Sequence, residues 1–330
     1  MLVPTILGLA SLVFSSCGAD SHHARLEGRL LNINTGEFYV YSPDGAIEGI
    51  DTLKVQGSRF SKEISCESEG TLIIVFPNFY EEPIFVAPGN DIEIKGDASH
   101  LKQLVVKGSK NNKLMTAFRE QIANSSPAEI RHYAELFIED NPESIVSSYM
   151  LLKYFIQDKT MKDYSKAIKL AELVCKEQPR NGLAKRVNQH LRSLAQLSAG
   201  KRLPSFSARD INGKAVTSAN LSKGLWLIYS WASWDGSNRS TSSIVRQLKE
   251  SSNGKLNVLG ISVDASIDAC KNYLRTDSLN WQNICTGQMF DTPILRTLAI
   301  TTYPSTILVE NGKIIGKDLS RDELENKIKK

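Results

Sequence analysis

Apolar positions change their spacing twice along this chain, and each change marks a new kind of structure. Between residues 25 and 111, short apolar or alternating runs recur at 26–32, 37–41, 71–76, 84–87, 91–95 and 103–106. Groups that favour turns separate them, among them Asn34 to Gly36, Pro43 to Gly45, Pro88-Gly89-Asn90 and Gly108. Strands bounded by such turns at this spacing predict a small antiparallel β domain, sandwich-like or barrel-like, over 25–111. From 112 to 199 the period lengthens to that of a helix. Leu114, Phe118 and Ile122 share one helical face, and Ile130, Tyr133, Phe137 and Ile138 share another. Asn141-Pro142-Glu143-Ser144 interrupts the run before Ile145, Tyr149, Leu152 and Phe155 open a third helix; two more are expected over 164–176 and 182–197. Such a helical connector sets the distance between domains.

Beyond residue 200 strands and helices alternate. Runs at 205–209 and 215–218 flank Asn212-Gly213, a hairpin signal. The nearly unbroken apolar run 225–231 predicts a strand buried on both faces, followed by a helix from about Asp235 to Ser251. A second buried strand is expected over 257–263. Ile267, Cys270 and Leu274 then mark a helix, and 306–310 pairs with 313–317 across Asn311-Gly312 before a closing helix over 321–330.

The apolar run 2–14 is shorter than the roughly 20 residues a membrane-spanning helix needs. It suits the hydrophobic part of a signal peptide over 1–16, with Ser15, Ser16, Cys17 and Gly18 following. Small residues before a cysteine at that point resemble a lipobox, which implies a lipid on the Cys17 thiol, a tether over 17–24 and a membrane-anchored protein of the cell envelope facing the periplasm. The basic start usual for signal peptides is missing, and ordinary secretory cleavage is the alternative. His22 and His23 fall in the tether and read as linker.

Composition narrows the function classes. Forty Lys and Arg against 36 Asp and Glu give a net charge of +4, with no basic cluster of the kind a nucleic acid demands; the densest, Lys327 to Lys330, suits the end of a helix. We therefore expect no nucleic-acid partner. Leaving Cys17 aside, Cys66, Cys175, Cys270 and Cys285 remain; no two are spaced as CxxC and none has a histidine at metal-ligand spacing. No metal or cofactor is expected. Cys270 lies on the apolar stripe of Ile267 and Leu274 and reads as a small core residue. A relocated redox pair, or a structural disulfide, between Cys270 and Cys285 is the alternative.

Several motifs then fall in order. Gly200-Lys-Arg-Leu-Pro204-Ser-Phe206 precedes Trp226-Leu-Ile-Tyr-Ser-Trp231-Ala-Ser-Trp234-Asp235-Gly236-Ser237-Asn238-Arg239; Gly260-Ile-Ser-Val-Asp264 and Tyr303-Pro304-Ser305-Thr306 follow. Over 200–330 the chain resembles the membrane-anchored thioredoxins of the TlpA/ResA and AhpC/TSA type, whose pattern is a buried strand, W-A-x-W-C-x-x-C-R, then a helix. The resemblance implies a thioredoxin-like α/β domain with a cis-proline at Pro304. The region upstream resembles, more loosely, a domain of unknown function that often precedes such thioredoxins.

The departure from the pattern bears on function. Thioredoxin chemistry needs a thiolate at the helix N-terminus and a second thiol one turn on. The resemblance places Asp235 and Asn238 at those positions, and neither a carboxylate nor an amide forms a mixed disulfide. A peroxidatic thiol is absent too, since no cysteine lies between Cys175 and Cys270. Asp235 suits a helix N-cap. Ser237 lacks a base for nucleophilic work, because residues 201–330 contain no histidine. Trp231 reads as core; Trp234 is a candidate apolar anchor. These residues point to a non-catalytic module that binds a peptide or an envelope protein, in a groove formed by Trp234, Asp235, Gly236, Ser237, Asn238, Thr302, Tyr303 and Pro304. The alternatives are an envelope thiol-disulfide oxidoreductase using Cys270 and Cys285, and an assembly scaffold.

Overall fold

The computed structural model describes residues 22–157, 161, 163–236 and 238–329, without the side chains of 238–240. The signal peptide, Cys17 and most of the tether therefore lie outside the described residues. The chain divides into two compact units, Met1–Met150 and Leu151–Lys330.

The first unit is built on β1 (His23–Leu31), β2 (Thr35–Tyr41), β3 (Ile50–Gln56), β4 (Arg59–Ser65), β5 (Gly70–Val75), β6 (Glu81–Val86), β7 (Asp91–Asp97) and β8 (Val105–Lys107). They form one eight-stranded sheet, in the order β6-β5-β2-β3-β4-β1-β7-β8, rather than two. Every neighbouring pair is antiparallel except β1 and β7, which run parallel. Alternation drives the burial: Ala24, Leu26 and Leu30 of β1 join Phe38, Leu53, Leu72, Ile84 and Ile94 in one core. Across the β1–β4 register Gly28 faces Phe60, whose ring occupies the space a Cβ would take, 2.0 Å away. The β3–β4 hairpin is absent from the sequence-based expectation. Gly57 and Ser58 turn it, both at positive φ. His100, which has no partner evident in the sequence, lies with its Nδ1 3.6 Å from Asp97.

Helices α1 (Lys110–Ile122), α2 (Pro127–Asp140) and α3 (Ile145–Leu151) follow where the helical period predicts them. Ser109 caps α1 by accepting from the Asn112 N–H, and Ser126 with Glu129 forms a capping box at α2. The Asn112 side chain accepts from the Phe85 N–H at 2.9 Å and donates to its carbonyl at 2.8 Å. An amide thereby replaces the missing neighbour of the edge strand β6.

In the second unit, the π-helical turn Leu152–Ile156 leads to α4 (Ser165–Glu177) and α5 (Gly182–Gln196). A short hairpin of β9 (Ser207–Arg209) and β10 (Ala215–Thr217) precedes β11 (Leu225–Trp231), α6 (Asn238–Ser251), β12 (Leu256–Ser262), α7 (Ile267–Thr276), β13 (Gln282–Ile284), α8 (Pro293–Thr297), β14 (Ser305–Glu310), β15 (Lys313–Lys317) and α9 (Arg321–Ile328). The five-stranded sheet runs β13-β12-β11-β14-β15. β11, β12 and β13 are parallel; β14 and β15 are antiparallel to their neighbours. Its two faces fill two cores, one with Ile228, Leu259 and Ile307, the other with Leu227, Tyr229, Val258 and Leu308. Burial on both sides explains the unbroken apolar runs. Asn311 and Gly312 both take positive φ, as a two-residue hairpin turn requires. A parallel βαβ unit beside an antiparallel hairpin, with a cis bond at Tyr303–Pro304 ahead of β14, is the thioredoxin-like arrangement.

Candidate functional site

Strand β11 ends in the sheet's interior with Trp231 fully buried, and the chain leaves it at the carboxyl end of the parallel strands. That end is where open α/β sheets place their ligands. Trp231 folds back over Gly260 so that its indole N–H donates to Asn283 Oδ1 at 3.1 Å. A Cβ on Gly260 would lie 2.0 Å from that oxygen and 2.9 Å from the indole nitrogen, so only glycine leaves room for this bond. Trp231 also packs on Tyr273 at a centroid distance of 5.1 Å. It is core, as the sequence implies.

The loop that follows is held from below by one carboxylate. Asp264, 1% exposed, lies just beyond β12. It accepts from the Ser233 N–H at 3.0 Å, the Ser233 hydroxyl at 2.7 Å and the Ser262 hydroxyl at 2.5 Å. The Trp231 carbonyl accepts from the Val263 N–H at 2.8 Å and fastens the loop's root. The Asp235 N–H turns back to the Ala232 carbonyl, and α6 begins at Asn238. Ser237 lies outside the described residues, and of Asn238 only the backbone position is described.

Ser230 serves both sides of the cis-proline. Its hydroxyl donates to the Thr302 carbonyl at 3.4 Å and accepts from the Ser305 N–H at 3.0 Å. This places Tyr303 against the loop: the Trp234 and Tyr303 rings meet edge-to-face, 5.0 Å apart at 86°. Phe290 stacks against Tyr303 at 6.2 Å. Trp234 remains 58% exposed, and Gly236, Thr302 and Pro304 are exposed beside it. Partial burial, then the charges of Asp235 and Asp264, raise the Tyr303 phenol above its ordinary pKa. The result is an exposed aromatic ledge beside Asp235, in a loop whose sequence holds no cysteine. Thr302 also lines a cavity of about 580 Å³ whose walls include Tyr164, His190, Leu194 and Lys317.

Among the described residues, no three His, Cys, Asp or Glu side chains converge to hold a metal ion, and no helix is long and apolar enough to cross a membrane. Cys270, in the first turn of α7, and Cys285, just beyond β13, are both free thiols buried in the core cluster that holds Trp231. The site residues that the sequence-based reading does not single out are Ser230, Asp264 and Phe290. Asp264 closes the Gly260–Asp264 motif, yet nothing in the sequence marks it as buried. Phe290 has no signal, because its contact depends on how the turn before α8 is folded.

Two comparisons with known proteins returned matches. Residues 24–115 match the family described as a domain of unknown function (DUF4369). The C-terminal domain of a thiol-disulfide oxidoreductase from Bacteroides thetaiotaomicron is 30% identical; the match covers 41% of this chain and 95% of that one, with a TM-score of 0.37. A thiol-disulfide oxidoreductase from Bacteroides fragilis is 26% identical over 39% of this chain and 98% of its own, with a TM-score of 0.36. A secreted disulfide oxidoreductase of Mycobacterium tuberculosis is 18% identical over 37% of this chain and 93% of its own, with a TM-score of 0.33. Comparison with curated proteins returns no match. The solved structures that this chain is similar to, over 37% to 41% of its length, are thus thiol-disulfide oxidoreductases.

Proposed function

We propose that this protein is a redox-inactive thioredoxin-like binding module of the cell envelope, lipid-anchored through Cys17, which holds an extended segment of a peptide or an envelope protein. The observation that carries the reading is the exposed Trp234, edge-on to Tyr303 beside Pro304, in a loop without cysteine. Thioredoxin-like grooves take extended chain by pairing it to the backbone ahead of the cis-proline, a mode that requires no thiol. Asp235 and Asn238 occupy the thiol positions in the family's pattern, and neither supports exchange.

The test uses the full chain and a fluorescent insulin B chain whose cysteines are alkylated. Wild type should bind it, and Trp234→Ala with Tyr303→Ala should weaken binding at least roughly tenfold, the loss of two aromatic anchors. Equal affinity in both sinks the groove. In a parallel assay the wild type should reduce insulin disulfides no faster than a variant lacking all cysteines. Turnover abolished by Cys270→Ser or Cys285→Ser would replace binding with enzymatic exchange. Cys17→Ser should release the protein from membranes; retention would remove the lipid anchor from the proposal.

A further inference from the structure

The outward face of the N-terminal sheet carries its charges in rows, and one row is of a single sign. Register places Arg29 of β1 opposite Arg59 of β4 on one side and opposite Lys95 of β7 on the other. These side chains are exposed, and with neighbouring strands about 4.8 Å apart the row is about 10 Å long. It lies in a cleft of about 710 Å³ that crosses β3, β4, β1 and β7, with Lys54 of β3 in the same wall. Like charges directly opposite one another destabilise a sheet, so the row is unfavourable until something neutralises it. The protein does so only in part. Lys95 pairs with Glu93, and Lys54 lies 3.8 Å from Glu37. Among the described residues, the guanidinium groups of Arg29 and Arg59 make no ion pair. We propose that this cleft binds a small, free oligophosphate anion, held by Arg29 and Arg59 with Lys95 and Lys54 beside them.

Chemistry and shape select that class. A planar guanidinium donates two parallel N–H bonds to the oxygens of one phosphate group. An oligophosphate carries several such groups on a short chain, so one molecule engages both arginines and removes their mutual repulsion. A broad anionic surface fares worse. One row further along the same face, about 7 Å away, Glu27 lies opposite Glu93, and these two form the other margin of the cleft. In the row beyond, Glu63 and Asp91 flank Arg25. Arg25 holds Glu27 and Asp91, each at 3.3 Å. A bilayer laid over the sheet meets all these carboxylates together with the cations, whereas a compact anion in the cleft meets the cations first.

The row belongs to the N-terminal unit and Trp234 to the C-terminal one, so the anion site and the peptide ledge stand or fall separately.

The full chain is titrated with inorganic tripolyphosphate by isothermal calorimetry at low salt, with orthophosphate and citrate as comparisons. One site is expected, at least about tenfold tighter for tripolyphosphate than for either comparison. Arg29→Gln and Arg59→Gln should each weaken it at least about tenfold. Lys214→Gln removes an exposed charge from the other unit and should bind within about twofold of wild type. Without ligand, both arginine variants should melt no lower than wild type by circular dichroism, because a repulsion has been relieved. Tripolyphosphate should raise the melting midpoint of the wild type and not of the variants. Absence of binding by the wild type overturns the site. Equal weakening by Lys214→Gln reduces it to net charge, and citrate or orthophosphate binding as tightly overturns the oligophosphate assignment. A lower midpoint in both ligand-free arginine variants makes the row a structural element and overturns the site as well. So does preferential sedimentation with phosphatidylcholine vesicles that contain phosphatidylglycerol, lost in Arg29→Gln, which would assign the row to a membrane.

Discussion

The most deeply buried described carboxylate of each unit, Glu82 in the first and Asp264 in the second, is satisfied in an opposite way. In the N-terminal unit Glu82, fully buried on β6, pairs with the Arg119 guanidinium of α1 and accepts from the Tyr80 hydroxyl at 3.1 Å. Arg119 in turn donates to the Leu104 carbonyl at 2.8 Å and to Thr116. A cation on a helix is thereby tied to the sheet's edge. In the C-terminal unit the hydrogen bonds to Asp264 come from neutral donors, the Ser233 amide and two hydroxyls. The first arrangement fixes one secondary element on another; the second fixes only a loop. An ion pair with one partner removed leaves an uncompensated charge, while a carboxylate held by several neutral bonds loses them one at a time. The N-terminal pair is therefore the brittle element, and the C-terminal carboxylate supports an exposed loop.

The largest expected effect breaks the first arrangement. Arg119→Met, measured by urea unfolding at alkaline pH, should cost the N-terminal unit about 3–5 kcal/mol, since Glu82 is left charged and buried. The double variant with Glu82→Gln should recover most of that loss. A single-variant loss below about 1 kcal/mol would show that the pair is no stronger than a surface bridge.

Acidity offers the next test. Burial, opposed by Arg119, raises the Glu82 pKa from 4.5 to about 7. Folded protein then keeps this proton where the unfolded chain has released it. Its contribution is present in full below the unfolded value and is lost as pH rises through the folded one. The N-terminal unit should lose stability between about pH 4.5 and about pH 7, by on the order of 3 kcal/mol from this group. Glu82→Gln should flatten that slope, and an unchanged slope would assign it to other groups.

Asp264→Asn is the matching change in the other unit. An amide keeps one acceptor and turns the other into a donor facing Ser233 or Ser262, so the C-terminal unit should lose about 1–3 kcal/mol in the same experiment. Amide-proton exchange should quicken at Ser233. A loss as large as that of Arg119→Met would erase the distinction between the units.

How far these features were legible depends on whether they are local. The alternation of Leu225 to Trp231, the Asn311-Gly312 turn and the faces of α1 and α2 follow from neighbours in the chain. The resemblance carried by the ordered motifs brings Trp234 and Tyr303 together, and their rings meet. The β3–β4 hairpin escaped because its apolar face is thin: Leu53 and Val55 on one strand, Phe60 and Ile64 on the other, with charge between them. Long-range contacts left no local signature. Arg119 meets Glu82 37 positions away, and Ser233 meets Asp264 31 positions away. The helix start, expected at about Asp235, lies at Asn238.

The smallest effect on folding should come with the largest effect on binding, at Trp234. Its ring is more than half exposed and touches Tyr303 edge-on, so Trp234→Ala removes little packing and should change stability by about 0.5 kcal/mol or less. If the ledge binds extended chain, the same substitution alone should weaken capture of alkylated insulin B chain roughly fivefold to tenfold, because a rigid aromatic anchor loses its contact area while the backbone ahead of Pro304 stays in place. Tyr303→Phe keeps both ring contacts and removes only the hydroxyl, and should bind within about twofold of wild type if the ring rather than the hydroxyl carries recognition. A large loss in Tyr303→Phe beside a small one in Trp234→Ala would invert this order. Recognition would then be polar, centred on the phenol that Asp235 and Asp264 perturb, and the carboxylate below the loop would matter for the ligand as well as for the fold.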